Sequence, residues 1–268
     1  MAEDHISSIR KPPAAVIHIP HSSLLIPDDV LDQYVIGKEE LARELLRMTD
    51  RYTDELFELP EDMAMTVRFP VSRLVVDPER FVDDAKEEMA KVGMGSVYER
   101  TSRKTPLRRK LSDAERENLR QVYYWPHHRR LEQAVCSALA EHGRCLIIDG
   151  HSFPSVPVPY EPDQDKNRPS VCLGTDGCHT PEWLLNIALK IFRESFDSVA
   201  VNRPYSGSIV PLRYFGQDHR VKSIMIELNR ALYMDEATGA KLPCFDEISK
   251  KVRKAVTRLI EFVAINPI

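Results

Sequence analysis

Two histidines in this sequence stand just after short apolar segments, where a strand is predicted to end. His21 follows AAVIHIP, and His151 follows RCLIIDG. A catalytic zinc ion typically takes three protein ligands drawn from histidines and carboxylates, and it keeps one position open for water. Both histidines are therefore candidate metal ligands, although a buried histidine that only makes hydrogen bonds would fit the same pattern.

An aspartate or glutamate must supply the third ligand if such a metal site exists. Asp50 and Asp54 in MTDRYTDEL are four residues apart, so they would share one face of a helix. Either carboxylate could reach the histidines, and we favour Asp50. Asp149 could accept a hydrogen bond from the second ring nitrogen of a metal-bound His151.

Glu227 interrupts the apolar segment KSIMIEL, which is predicted to be a buried strand. Burying a carboxylate costs free energy unless the group is paired or has a chemical role. Two interpretations follow. Glu227 either pairs with an arginine such as Arg230, or it acts as a general base beside a metal-activated water.

Several arginines are predicted near the same edge of the fold. They are Arg73, Arg80, Arg203 and Arg213. A guanidinium group binds a carboxylate through two parallel hydrogen bonds, so one or two of these residues could bind a small anionic substrate. Each of them would equally fit a surface salt bridge. A further basic cluster, HHRR at 127–130, could face either the site or water.

The elements that would position these residues alternate between strands and helices. Strands are predicted at 14–19, 65–69, 72–77, 144–149, 169–174, 198–202 and 222–228. Helices are predicted at 38–59, 112–143 with a kink or break at Pro126, 180–196 and 245–263, and the stretch 83–110 is predicted to be a surface excursion. This order predicts an α/β fold in one domain over residues 1–268, with a mixed, largely parallel sheet and helices on both faces. Groups that follow parallel strands would then converge at one edge.

Composition excludes several classes of protein. The net charge of −4 and the lack of a basic, aromatic patch argue against a nucleic-acid binder. No apolar run approaches the roughly 18 residues of a membrane span, and the polar start, MAEDHISSIRKPP, argues against a signal peptide. The five cysteines include no C-x-x-C pair, which favours free thiols in a reducing compartment. We therefore expect a cytoplasmic protein.

The motifs HIPHSSLLIP, MTDRYTDELF, SRLVVDPERF, YYWPHH, LIIDGHSF, NRPYSG and IMIELNRALYMD, in this order, resemble the N-formylglutamate amidohydrolase family. The resemblance spans about residues 16–235. That family is distantly similar to zinc carboxypeptidases and aspartoacylases. The resemblance implies a phosphorylase/hydrolase-like, eight-stranded-type mixed sheet and a Zn²⁺ site. It implies that His21, Asp50 and His151 bind the metal and that Glu227 is the general base.

The activity implied by the resemblance is zinc-dependent hydrolysis of the amide of an N-formyl or N-acyl amino acid. N-formylglutamate would give formate and glutamate, the last step of one route of histidine degradation. We expect Arg80, at the end of the SRLVVDPER segment, to contact the substrate carboxylate. Arg73, Tyr205 and Arg213 are further candidates for binding the substrate or stabilising the oxyanion.

The sequence departs from the related patterns at three places. Carboxypeptidases use H-x-x-E, but Leu24 stands three residues after His21. The family's aspartate-x-asparagine-arginine reads DPER at 77–80, and its double glycine reads SGS at 206–208. Three alternatives therefore stay open: another N-acyl amino acid as substrate, a carboxypeptidase-like or aspartoacylase-like hydrolase, and a metal-free binding protein on the same fold.

Overall fold

A six-stranded sheet, in the order β2-β1-β3-β6-β4-β5, forms the centre of the computed structural model, which describes residues 11–266. The strands are β1 (Ala15–Ile19), β2 (Met65–Arg68), β3 (Cys145–Phe153), β4 (Val171–Gly174), β5 (Val199–Val201) and β6 (Val221–Asn229). β2, β1, β3 and β6 run parallel, whereas β4 is antiparallel to β6 and β5 is parallel to β4. The predicted mixed, largely parallel sheet is confirmed. The eight-stranded-type sheet that the resemblance implies is wrong for the described residues, which form six strands.

Helices cover both faces of this sheet, as predicted. They are α1 (Lys38–Met48), α2 (Thr53–Leu56), α3 (Asp113–Leu119), α4 (Trp125–His142), α5 (Glu182–Arg193) and α6 (Phe245–Ile265). Because side chains alternate along a strand, Ile17 packs in the core formed with α2, α5 and α6, whereas Val16 packs in the core formed with α4. The two cores hold the sheet rigidly between them.

The predicted helix over 38–59 is wrong, because the chain breaks between α1 and α2. Tyr52 has a left-handed backbone with φ of 67°. The Thr53 hydroxyl donates to the Asp50 carbonyl at 2.8 Å, and this local bond stabilises the turn. Asp50 and Asp54 therefore do not share a helix face. Asp50 is buried, whereas Asp54 pairs with Arg68 at 2.7 Å near the surface.

Two strand predictions also differ from the structure. Residues 72–77 form turns rather than a strand. β3 is longer than predicted and continues through His151 to Phe153. Gly150 permits this continuation, because a Cβ atom there would lie 2.8 Å from Ile19 and 2.9 Å from Phe57. His151 therefore lies within a strand rather than after it.

The excursion at 83–110 is irregular apart from a 3₁₀ turn at Glu88–Val92. It is less superficial than predicted, because Met94, Tyr98 and Leu107 form a buried cluster with Met48 and Leu74. The capping box predicted at Ser112 is present at the start of α3. The predicted break near Pro126 is also present, as a π-helical turn at Arg120–Tyr124 between α3 and α4.

Other sequence predictions concern the chain as a whole. All five cysteines are free. Over residues 11–266, the search for membrane spans found no helix of sufficient length and apolarity. The first ten residues, which carry most of the polar start, lie outside the described residues.

Candidate functional site

The carboxyl ends of β1, β3 and β6 bring a set of charged side chains together, which we call the carboxyl-edge cluster. It contains His21, Asp50, Asp77, Glu79, Asp149, His151 and Glu227, together with Arg73, Arg80 and Arg230. Most of these side chains are buried, and the most exposed, Arg80, is only a quarter exposed. Parallel strands with a common end direction explain why residues far apart in sequence meet here.

His21 has one ring nitrogen paired and the other free. Its Nε2 lies 2.8 Å from Asp77 Oδ1, which identifies Nε2 as the donor. Its Nδ1 is buried and has no hydrogen-bond partner among the described residues. The nearest carboxylate oxygen is Asp50 Oδ2, at 3.6 Å. In the neutral imidazole, Nδ1 is thus an acceptor that faces another acceptor.

His151 is held between three carboxylates. Its Nε2 lies 3.1 Å from both Asp149 Oδ1 and Glu79 Oε2, and its Nδ1 lies 3.2 Å from Asp50 Oδ2. Burial opposes the charged imidazole, but Glu79 and Asp149 raise the pKa of His151 well above its ordinary value. Without a metal, a second proton on His151 supplies the positive charge that these carboxylates require.

Asp50 is fixed so that one oxygen points towards both histidines. Arg230 Nη2 donates to Oδ1 at 2.7 Å, and the backbone N–H of Ser152 donates to Oδ2 at 3.3 Å. Burial opposes ionisation of Asp50, but the hydrogen bond from His151, the proximity of His21 and the Arg230 charge hold the pKa of this carboxyl well below its usual range. Asp50 is therefore held as an anion that faces both histidines.

The distances from Asp50 to the two histidines suit a small divalent cation. A tetrahedral zinc ion with ligands at about 2.0–2.2 Å places neighbouring ligand atoms about 3.3–3.6 Å apart. Asp50 Oδ2 lies 3.6 Å from His21 Nδ1 and 3.2 Å from His151 Nδ1. The second nitrogen of each histidine meets a carboxylate, as is usual for metal-bound histidines. The residue types of this donor set therefore suit zinc. Among the described residues, the carboxylate that lies within 4.8 Å of ligand atoms of both His21 and His151 as one group is Glu79.

Glu79 is a second carboxylate within reach of a cation. The ligand atoms of His21, Glu79 and His151 lie within 4.8 Å of one another, and so do those of His18, Glu79 and Asp149. Glu79 approaches His151 at Nε2, the nitrogen that also faces Asp149. Asp50 faces the opposite nitrogen, and we therefore rank it above Glu79 as a ligand.

The charges of the cluster also fit a divalent cation. Five carboxylates face three guanidinium groups, which leaves two negative charges when every carboxylate is ionised. In the metal-free protein, protons on His151 and Glu227 offset these two charges, and a divalent cation could take their place.

The two arginines beside Asp77 differ in availability. Arg73 Nη2 donates to Asp77 Oδ2 at 2.7 Å, and the Tyr98 hydroxyl donates to the same oxygen at 2.5 Å. Burial opposes ionisation of Asp77, yet Arg73 and His21 hold the pKa of Asp77 well below its usual range. Arg80 lies 3.8 Å from Asp77, and its buried Nε has no hydrogen-bond partner. Arg80 is thus the arginine of this pair that is available to an anionic ligand.

Glu227 pairs in register with His151 on the neighbouring strand. Its Oε2 is buried and has no partner among the described residues. Burial raises the pKa of Glu227 to about 8. The predicted alternative, a pair with Arg230, is wrong, because Arg230 binds Asp50 instead.

Three further residues from the sequence analysis lie elsewhere or are engaged. The Tyr205 hydroxyl donates to Glu161, whose carboxylate also binds Arg168. Arg203 follows β5, whose carboxyl end points to the opposite edge of the sheet because β4 and β5 run against β6. The side chain of Arg213 is 66% exposed and pairs with Glu132. The strand directions therefore contradict the placement of Arg203 at the carboxyl edge, and Arg213 is engaged in an exposed ion pair.

Sequence reasoning missed two buried histidines next to the cluster. His18 lies inside β1, with Nδ1 2.8 Å from Asp149 Oδ1. Its Nε2 lies 2.8 Å from Nε2 of His127, which is completely buried on α4. A histidine between two isoleucines in AAVIHI is the available signal for the first. The second belongs to the basic cluster whose orientation was left open.

Comparisons with known proteins show the family and the fold of this chain. Residues 14–234 match the family model of N-formylglutamate amidohydrolase. A crystal structure of N-formylglutamate amidohydrolase from Ralstonia eutropha JMP134 is similar, with a TM-score of 0.80 and 25% identity over 94% of this chain and 95% of that chain. A gene product of Agrobacterium tumefaciens shares the fold, with a TM-score of 0.62 and 18% identity over 92% of each chain. The search among curated proteins found no match.

Proposed function

Because the chain belongs to the N-formylglutamate amidohydrolase family, we propose that it hydrolyses the amide bond of an N-formyl amino acid, with N-formylglutamate as the preferred substrate. The products are formate and glutamate. The observation that carries this proposal is the position of Asp50 Oδ2, which faces the Nδ1 atoms of two buried histidines at 3.2 and 3.6 Å. A cation between the three atoms would be bound by both nitrogens and the carboxylate oxygen at once.

His21, Asp50 and His151 would hold that cation as a zinc ion. A bound zinc ion supplies a Lewis acid that polarises the amide carbonyl and activates water at neutral pH. Asp77 orients His21, and Asp149 orients His151, through the ring nitrogens that do not face the metal. Arg230 holds Asp50 so that only one of its oxygens faces the histidines.

Glu227 serves as the general base. Its unpaired Oε2 takes a proton from the attacking water as the water oxygen bonds to the formyl carbon. The same carboxyl then gives the proton to the amide nitrogen as the C–N bond breaks. A nearby divalent cation favours the ionised carboxylate, so metal loading lowers the pKa of Glu227 below its raised value.

Arg80 binds a carboxylate of the substrate. Its guanidinium group is a quarter exposed and only weakly engaged by Asp77, whereas Arg73 is committed to Asp77 and Tyr98. Arg73 therefore positions Asp77 rather than the substrate. A single available guanidinium in a water-poor site favours a small acidic substrate over a peptide or a nucleic acid.

We assign this reaction to the last step of one route of histidine degradation, in the cytoplasm. Five free cysteines are typical of a reducing compartment and support that location.

The test is a substrate panel measured with and without a metal chelator. N-formylglutamate is compared with other N-formyl amino acids, N-acetylaspartate and a short peptide. We expect the highest kcat/KM with N-formylglutamate, loss of activity with the chelator and recovery with added zinc. Preference for N-acetylaspartate or the peptide would favour an aspartoacylase-like or carboxypeptidase-like hydrolase. Absence of both activity and bound metal would favour a binding protein.

A further inference from the structure

A continuous line of buried hydrogen bonds joins His151 to helix α4. His127 Nε2 lies 2.8 Å from His18 Nε2, and His18 Nδ1 lies 2.8 Å from Asp149 Oδ1. The same Asp149 oxygen lies 3.1 Å from His151 Nε2. His18 and His127 are completely buried, and Asp149 is 1% exposed.

One arrangement of protons gives each hydrogen bond in this line one donor and one acceptor. His18 donates from Nδ1 to Asp149, so in its neutral form its Nε2 must accept. His127 then donates from Nε2, which leaves its Nδ1 without a hydrogen. That atom has no hydrogen-bond partner among the described residues, and burial lowers the pKa of His127 well below its ordinary value. Both observations fit a neutral His127 with its hydrogen on Nε2.

Asp149, at the other end of this line from His127, determines which nitrogen of His151 carries a hydrogen. Asp149 is fixed by His18 at Oδ1 and by the backbone N–H of Ile209, at 3.1 Å, on Oδ2. A fixed, ionised Asp149 requires a hydrogen on Nε2 of His151. Nδ1 of His151, which faces Asp50, is then the nitrogen left for a metal ion.

Stability alone does not explain the two histidines. His18 lies between Ile17 and Ile19 in a buried strand, where an apolar side chain would pack without polar atoms. The His127 ring packs edge-on against Phe69, and its Nδ1 stays unpaired, which costs free energy.

We propose that His18 and His127 are positioning residues that, through Asp149, keep Nδ1 of His151 available for the metal. This inference rests on the proposed function, because it requires that His151 be a ligand. Neither histidine contacts the substrate in this scheme.

The experiment compares zinc affinity, measured by competition with a chromogenic chelator, in matched variants. His18→Leu removes the donor to Asp149, whereas His18→Asn keeps a donor at the position of Nδ1. We expect His18→Leu to weaken zinc binding about 10–100-fold. His18→Asn should bind within a few-fold of the wild-type protein, and His127→Leu should weaken binding about 3–10-fold.

His179→Gln is the control for the loss of a buried histidine. His179 is completely buried and hydrogen-bonded to Val221 and Gly216, outside the cluster. We expect it to lower the melting temperature and leave zinc affinity unchanged. If His18→Leu does not fold, the His127→Leu and His18→Asn variants decide the question.

A wild-type affinity in His18→Leu, or in His127→Leu where His18→Leu does not fold, would overturn the proposal. Equal losses in His18→Leu and His18→Asn would also overturn it, because the donor would then be irrelevant. If the wild-type protein itself binds no zinc, the proposed metal site is wrong, and so is the positioning role of His18 and His127. If the wild-type protein binds zinc and hydrolyses N-formylglutamate while the His18 variants are unaffected, only the positioning role of His18 and His127 is wrong.

Discussion

Buried histidines in two regions of this protein differ in their hydrogen-bond partners. His179 donates from Nδ1 to the Val221 carbonyl at 2.8 Å, and its Nε2 accepts from the Gly216 N–H at 2.8 Å. His21 and His151 each have one nitrogen paired with a carboxylate, but the Nδ1 of each faces a second acceptor, Asp50. Burial is common to all three. The candidate metal-binding histidines differ from His179 because their Nδ1 atoms face a carboxylate oxygen instead of a backbone group.

The charges around the two environments sharpen this difference. Backbone groups satisfy His179, so its neutral form is stable without a cation. The carboxyl-edge cluster instead holds more carboxylates than guanidinium groups, a charge balance that a bound cation would complement. Substitutions in the carboxyl-edge cluster should therefore change catalysis or zinc binding, whereas a substitution of His179 should change only stability.

The largest effect should come from the general base. We expect Glu227→Gln to lower kcat about 100–10,000-fold, because the amide cannot take the water proton. Zinc stoichiometry should stay the same, since Glu227 is not among the proposed ligands. Steady-state kinetics on N-formylglutamate with metal analysis measures both quantities. His179→Gln, as the matched change in the other environment, should keep kcat. Unchanged kcat in Glu227→Gln would remove this residue from the mechanism.

The next effect distinguishes the two carboxylates near the histidines. Asp50→Asn should weaken zinc binding about 100-fold or more, because it removes a charged ligand and leaves Arg230 unpaired. Glu79→Gln should weaken it less than about 10-fold. Chelator competition measures both affinities. The reverse order would identify Glu79 as the carboxylate ligand.

A smaller effect distinguishes the arginines. Arg80→Ala should raise KM for N-formylglutamate about 10–100-fold with a modest change in kcat, since a charged hydrogen bond to the substrate is lost. Arg213→Ala serves as the control, because this side chain is mostly exposed and pairs with Glu132. Equal KM values in the two variants would contradict the role of Arg80.

The smallest effect is on stability in the metal-free protein. Between about pH 4.5 and 8 the folded protein keeps a proton on Glu227 that the unfolded chain releases, so its stability falls as pH rises through this window. Glu227→Gln has no such dependence, so its Tm relative to the wild-type protein should be higher at pH 8 than at pH 5. Thermal unfolding in a chelator at pH 5 and pH 8 measures the difference. A gain that is equal at both pH values would contradict the buried, protonated Glu227.

Part of this site could be predicted from the sequence because it depends on local patterns. His21 follows an apolar strand, and Glu227 interrupts one, so parallel strands bring both to the same edge. Asp50 was favoured on a helical spacing that the structure breaks at Tyr52. It nevertheless lies beside both histidines, because its backbone N–H donates to the His21 carbonyl at 3.0 Å.

The remaining features depend on long-range pairing that local patterns do not contain. The direction of β5 within the sheet removes Arg203 from the edge, and an apolar strand looks the same in either direction. His18 looks like an interruption of a core strand until β3 places Asp149 beside it. The role of Glu79 depends on the turns at 72–80, where an extended strand was expected over 72–77.

The central claim is that His21, Asp50 and His151 hold a zinc ion through Nδ1, Oδ2 and Nδ1. An anomalous difference map from crystals of the zinc-loaded protein, recorded at the zinc edge, tests it most directly. We predict one peak per chain, about 2.0–2.2 Å from each of these three atoms. A peak bounded by His18, Glu79 and Asp149, or no peak in the carboxyl-edge cluster, would contradict the account.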